Sequence, residues 1–251
     1  MQYTLKKSLG QHFLTDEIIS CKIADAIADK KPIQLLEVGP GGGAITKYLM
    51  QVKGVDFKAI ELDAEKIGYL IHTYPQLKDK LVHDNFLNAL PPFEGSFHIA
   101  GNFPFNISTQ ILFHILTWKH QVPVVTGMFQ KEVAQRIAAK EGNKTYGILS
   151  VLVQAFYKVE YLFDVESASF NPPPKVKSGV IQLTRLEKSP AIKSEKAFFN
   201  LVKTAFNQRR KMLRNGVRGL FDPEFIKDEI FTKRAEQLTV EQFAELTFKM
   251  H

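Results

Sequence analysis

Apolar residues in this chain fall into short runs separated by stretches of helical periodicity. Runs rich in β-branched and aromatic residues at 33–38, 55–61, 80–83, 97–102, 122–129, 157–163 and 179–186 predict strands. Between them, residues 43–52, 63–74, 108–117, 130–140 and 145–156 carry helical patterns. Strands alternating with crossover helices predict a mostly parallel α/β sheet. Only residues 164–178 separate the last two strands, which leaves no room for a helix, so these two are expected to pair antiparallel at the sheet edge. The polar stretch 187–195 (EKSPAIKSE) reads as a linker, and strand signals stop beyond it. There Phe199, Val202, Phe206, Leu213, Val217 and Leu220 recur at helical spacings, and 240–249 predicts a closing helix. At the front, an amphipathic helix is expected to about residue 29, with Thr15 as its N-cap, while GQHFL (10–14) belongs to no element.

Composition narrows the class. With 251 residues, 45 % hydrophobic and 24 % charged, the chain is neither disordered nor collagenous. The only cysteine, Cys21, excludes an intrachain disulfide. No run reaches the roughly 20 apolar residues of a membrane span, and the first ten residues lack the apolar centre of a signal peptide. A cytoplasmic monomer is expected. The net charge of +7 is uneven, since residues 188–251 hold 13 Lys and Arg against 8 Asp and Glu. Arg209, Arg210, Lys211, Arg214 and Arg218 fall in ten residues with no acid among them, and Arg210, Arg214 and Arg218 would form one helical stripe. Such a cluster suits a nucleic-acid backbone, and equally a solvated helix face.

Four motifs carry candidate chemistry. Glu37-Val38-Gly39-Pro40-Gly41-Gly42-Gly43 ends the first sheet strand, where glycines let the backbone turn sharply and approach a ligand. With Ala44 it also satisfies the dinucleotide fingerprint, which keeps a nicotinamide or flavin enzyme open. Glu37, however, sets a carboxylate beside the loop, a poor neighbour for a pyrophosphate and a good one for a cation. Glu61, 22 residues after Gly39, stands where an acid can accept both hydroxyls of a ribose. Asp84, after the third strand, could accept an adenine amino group or simply make a turn. Asn102, Phe103, Pro104 and Phe105 leave the fourth strand. The Asn102 amide oxygen and the Phe103 carbonyl can accept the two N–H bonds of a planar aromatic amine and so aim its lone pair. The Phe105 ring can stack on the base, and Pro104 fixes the turn. The remaining histidines show no ligand spacing, so no metal is expected.

These motifs, with GQHFL, FNPPPKVKSG (170–179) and FNQRRKMLRN (206–215), resemble the small-subunit ribosomal RNA adenine N6,N6-dimethyltransferases, the KsgA/RsmA family, over nearly the whole chain. The resemblance implies a Rossmann-like class I methyltransferase sheet with an antiparallel last strand and a small all-α C-terminal domain. It implies S-adenosylmethionine as cofactor and, as substrate, two adjacent adenines in the 3′-terminal hairpin of small-subunit rRNA within a pre-ribosomal small subunit. Residues 1–187 would form the methyltransferase domain, with 1–30 covering the cofactor, and 188–251 the helical rRNA-binding domain. His12, Leu14, Gly39, Gly41, Glu61, Asp84 and Asn102 would contact the cofactor, and Asn102, Phe103, Pro104 and Phe105 the target adenine. His12 and Phe105 stand where the family commonly has an amide and a tyrosine. Phe170 could stack on the flipped base, or belong to a plain proline-rich hairpin connection, with Lys175, Lys177, Arg209, Arg210, Lys211, Arg214 and Arg218 expected on phosphates. The macrolide-resistance large-subunit rRNA methyltransferases, and a non-catalytic RNA-binding assembly or transcription factor, are the alternatives; the triple-proline block favours the small-subunit enzymes over the former, and intact Glu61, Asp84 and Asn102 argue against the latter.

Overall fold

The computed structural model describes residues 12–251, so Gly10, Gln11 and the rest of the leading segment lie outside the described residues. The strands are β1 (Phe13–Leu14), β2 (Gln34–Val38), β3 (Asp56–Glu61), β4 (Leu81–His83), β5 (His98–Asn102), β6 (Val124–Gln130), β7 (Tyr157–Val165), β8 (Phe170–Asn171) and β9 (Ser178–Arg185). The helices are α1 (Glu17–Ala28), α2 (Thr46–Leu49), α3 (Ala64–Thr73), α4 (Ser108–Thr117), α5 (Lys131–Ala138), α6 (Ile148–Gln154), α7 (Glu195–Asn207), α8 (Leu213–Val217) and α9 (Val240–Thr247). Seven strands form one sheet in the order β4-β3-β2-β5-β6-β9-β7. Its members from β4 to β6 run parallel, and β9 runs antiparallel to β6. Burial explains why the strands are so apolar: Leu35, Leu36, Ala59, Ile99, Ala100, Val125, Met128 and Ile181 are all enclosed.

Three local expectations are corrected. Asp16, not Thr15, caps α1, its carboxylate accepting from the N–H groups of Ile18 and Ile19. The Gly-rich loop shortens α2 to four residues, because consecutive glycines favour turn over helix. GQHFL is not elementless: Phe13 and Leu14 pair antiparallel with Asn171 and Phe170.

By internal contacts the chain divides into two compact units, Met1–Ala134 with Glu160–Arg185, and Gln135–Val159 with Leu186–His251. The segment 135–159, read from the sequence as part of the methyltransferase domain, thus groups with the C-terminal helices. In that second unit Phe198, Leu201, Val202 and Ala205 form the buried stripe of α7, one residue out of phase at its start with the stripe expected from Phe199. α7 ends at Asn207 and α8 begins only at Leu213, so Arg210, Arg214 and Arg218 do not share one helix face.

Candidate active site

In an open parallel sheet, ligands bind beyond the carboxyl ends of the strands where the strand order reverses. Here the reversal lies between β2 and β5. The glycine loop leaves β2 and the 102–105 motif leaves β5, and they meet closely: a methyl group on Gly39 would lie 3.9 Å from Pro104 Cδ. A cleft opens there, walled by His12, Phe13, Leu14, Glu37, residues 39–42, Ala44, Ile45, Lys66 and residues 102–105. Gly39 and Gly41 have φ of 69° and 58°, left-handed conformations that a side chain would strain, so the loop backbone itself forms the wall.

Glu37 is 2 % exposed, and its Oε2 has no hydrogen-bond partner. Burial pushes its pKa up to about 8; the Thr46 hydroxyl tempers the shift without making a hydrogen bond of ordinary geometry, and the nearby Glu61 adds to it. Glu61 is also buried. Its Oε2 accepts from Gly41 N–H at 3.1 Å, and its Oε1 from Leu62 and Asp63 N–H at 2.9 and 3.0 Å. A carboxylate has about four lone-pair directions, so it ties the glycine loop to β3 and retains capacity for a ligand hydroxyl. Asp84 follows β4 and donates its backbone N–H to the Glu61 carbonyl at 3.2 Å. Its exposed side chain caps Asn85 N–H at 2.7 Å and is not part of the cleft wall.

The structure divides the 102–105 motif by function. The Asn102 carboxamide is half-buried and makes no hydrogen bond to any described residue. The Phe103 ring is fully buried, packed on Phe129 at 5.1 Å between centroids. It fills the space above Gly101, where an added Cβ would come within 2.6 Å of it and within 2.8 Å of the Val38 carbonyl. Phe103 can therefore offer a ligand its backbone but not its ring. Phe105 keeps a half-exposed ring 5.8 Å from the His12 ring. His12 Nδ1 is 2.8 Å from the Pro172 carbonyl, so the β1–β8 ladder holds this histidine at the cleft. Phe13 and Pro40, named in the sequence only within their motifs, also line the cleft, and so does Lys66, which was not singled out; Lys66 Nζ sits 5.4 Å from the Phe13 ring centroid.

Several expected RNA contacts change. Phe170 is 3 % exposed and sits in the core with Leu14, Val165 and Val180, so it has no free face for a base. Lys175 is exposed, as expected. Lys177 pairs with Glu166 at 2.6 Å, which holds its ammonium pKa above the usual lysine value. Arg209 is engaged within its own unit: Nε reaches Glu236 Oε2 at 2.6 Å and Nη2 donates to the Lys144 carbonyl. Arg210, Lys211, Arg214 and Arg218 are exposed with no acidic partner among the described residues; Arg214 Nη2 donates to the Met212 sulfur at 3.2 Å.

The cleft wall thus offers apolar rings, open loop backbone and a buried carboxyl group. The sequence profile of the ribosomal RNA adenine dimethylases matches residues 2–249. The chain belongs to the ribosomal RNA adenine dimethylase family. It is 53 % identical over 249 residues to the ribosomal RNA small subunit methyltransferase A of Flavobacterium johnsoniae, covering 98 % of this chain and 95 % of the relative. The counterpart from Phocaeicola vulgatus is 52 % identical over 247 residues, 96 % of this chain and 88 % of the relative. Among solved structures, a dimethyladenosine transferase from Plasmodium falciparum superposes with TM-score 0.78 at 25 % identity, covering 94 % of this chain and 96 % of that one. The 23S rRNA methyltransferase ErmE shares the fold, with TM-score 0.72 at 21 % identity over 95 % of this chain and 99 % of its own. As a ribosomal RNA adenine dimethylase, the chain is an S-adenosylmethionine-dependent methyltransferase on a class I sheet. The residues present fit that cofactor: the unpartnered buried oxygen of Glu37 suits a cation, the glycine loop lets a ligand approach the backbone, and Phe13 and Leu14 supply an apolar wall. Among the described residues no helix is long and apolar enough to cross a membrane.

Proposed function

We propose that this chain methylates N6 of two adjacent adenines in the 3′-terminal hairpin of small-subunit rRNA, acting as a monomer on a pre-ribosomal small subunit and needing no metal. The carrying observation is the unengaged Asn102 carboxamide at the end of β5, at the rim of the cofactor cleft, in a chain that matches the adenine dimethylase profile over residues 2–249. When bound, S-adenosylmethionine supplies a methyl group already activated by its sulfonium.

The protein's own work is then positioning. Glu37, Glu61, Leu14, His12, Gly39 and Gly41 hold the cofactor, with Asp84 at the adenine end. The amine of adenine is a poor nucleophile because its lone pair is delocalised into the ring. Asn102 Oδ1 and the Phe103 carbonyl accept its two N–H bonds, which frees and aims the lone pair. Phe105 stacks on the base. Pro104 fixes the turn that keeps these groups together. Holding reactants this way can supply roughly 7–11 kcal/mol of the barrier. Once the lone pair is used the amine becomes acidic, and its proton leaves to water without a dedicated base. Extruding the adenine from its RNA costs a few kcal/mol, met by stacking and by backbone contacts from Lys175, Arg210, Lys211, Arg214 and Arg218.

Asn102→Ala is expected to lower methyl transfer to unmethylated small subunits by about 100-fold or more, with Tm retained. Glu61→Ala is expected to raise KM for the cofactor. Near-normal turnover and unchanged KM in both variants would overturn the assignment.

A further inference from the structure

The division into two units sharpens the charge distribution. Counted over the whole sequence, the first unit holds 16 Lys and Arg and 16 Asp and Glu, whereas the second holds 17 and 10. All of the +7 therefore lies in the second unit, and the segment 135–159 brings Arg136, Lys140, Lys144 and Lys158 to it against Glu141 alone. Two of these cations, Lys140 and Lys144, lie on the exposed connection between α5 and α6 and have no acidic partner among the described residues.

That connection is held in place rather than left as an open loop. Tyr146 is buried, its ring 6.2 Å from Phe206 of α7, which in turn lies 5.9 Å from Phe243 of α9. Gly142 N–H donates to the Glu236 carbonyl at 2.8 Å. The Glu236 side chain receives Arg209 Nε, and the same guanidinium donates to the Lys144 carbonyl. One arginine thus joins the α5–α6 connection to the turn after α7, from which the exposed Arg210 and Lys211 project next in sequence. The clamp thus ties the segment that carries the exposed Lys140 and Lys144 to the one that carries the exposed Arg210 and Lys211. Cations fixed by backbone anchors lose less freedom on binding a polyanion than cations on a mobile loop.

We infer that the α5–α6 connection is a second grip on the RNA backbone: Lys140 and Lys144 hold phosphates beside those held by Arg210 and Lys211, with Arg209 as the positioning residue that joins the two segments. The inference rests on the reading that the basic C-terminal turn binds rRNA. Arg209 acts through geometry: two of its five N–H donors are committed to Glu236 and the Lys144 carbonyl, and these two bonds fix one segment against the other. The grip reads no sequence; it sets affinity and register.

The test measures binding of the full chain to unmethylated small ribosomal subunits across a salt series. Replacing Lys140 and Lys144 together by Ala is expected to make the slope of log affinity against log salt shallower by about 1.5, with Tm unchanged because both side chains are exposed. Replacing Arg210 and Lys211 should do the same. If the lysine pair leaves slope and affinity unchanged while the Arg210–Lys211 pair flattens the slope, the second grip is overturned and the reading of the C-terminal turn stands. If neither pair flattens it, both fall. Arg209→Lys keeps the charge but loses the forked clamp, so it is expected to weaken binding nearly as much as Arg209→Ala. Wild-type affinity in Arg209→Lys, with loss in Arg209→Ala, would overturn the positioning role.

Discussion

Glu37 is a carboxyl group at the end of a central strand, closed off from water, with Oε2 making no hydrogen bond. Its folded pKa of about 8 lies above the ordinary carboxylate value of 4.5, chiefly because burial penalises the charge. The folded chain therefore keeps this proton across a pH range in which the unfolded chain releases it. Stability is unaffected by Glu37 below the unfolded value and falls as pH rises from there toward 8, by up to roughly 1.4 kcal/mol per pH unit. Glu37→Gln removes that slope. In the cofactor-free protein, its Tm relative to wild type should rise steadily between pH 5 and pH 8, as measured by thermal unfolding. Parallel pH dependence in the two proteins would contradict a protonated Glu37. The placement of Asn102, Glu61 and Glu37 at the ends of sheet strands was legible in the sequence, because glycine spacing and apolar runs locate strand ends. The orphaned oxygen of Glu37 was not, since burial and missing partners depend on the side chains that pack around it.

At the scale of elements, strands buried on both faces read as near-continuous apolar runs, which is why β2, β3, β5 and β6 fall within two residues of their expected ends. What stayed hidden depends on partners far away in the sequence. β1 is two residues long and is a strand only because Asn171 and Phe170 pair with it. The same pairing decides the fate of Phe170: next to a proline-rich, exposed segment it reads as a free ring, yet the ladder turns it into the core against Leu14. Phe170→Ala is expected to cost about 3–5 kcal/mol in denaturant unfolding, as for a buried aromatic. It should also loosen the β1–β8 ladder that holds His12 near Phe105. Unchanged stability with lost methyl transfer would instead assign Phe170 to the target base. The stripe of arginines failed for a related reason: charge spacing alone cannot reveal that residues 208–212 interrupt the helix.

Across the whole molecule, the two units differ in chemistry. One is electrically balanced and carries the cleft, with Glu37 in its wall and Glu61 tying the glycine loop to β3. The other carries the entire net positive charge and matches a polyanion. The sequence located the basic excess near the C-terminus, but the contribution of 135–159 became visible only when that segment was found to group with the C-terminal helices. The central claim is dimethylation of adjacent adenines by the group at Asn102. Mass-spectrometric mapping of adenine modification, after incubating unmethylated small subunits with the protein and S-adenosylmethionine, tests it most directly. The expected result is N6,N6-dimethyladenosine at two neighbouring positions in the 3′-terminal hairpin and none with Asn102→Ala. Modification of large-subunit RNA alone, or no modified adenine in that hairpin, would contradict it.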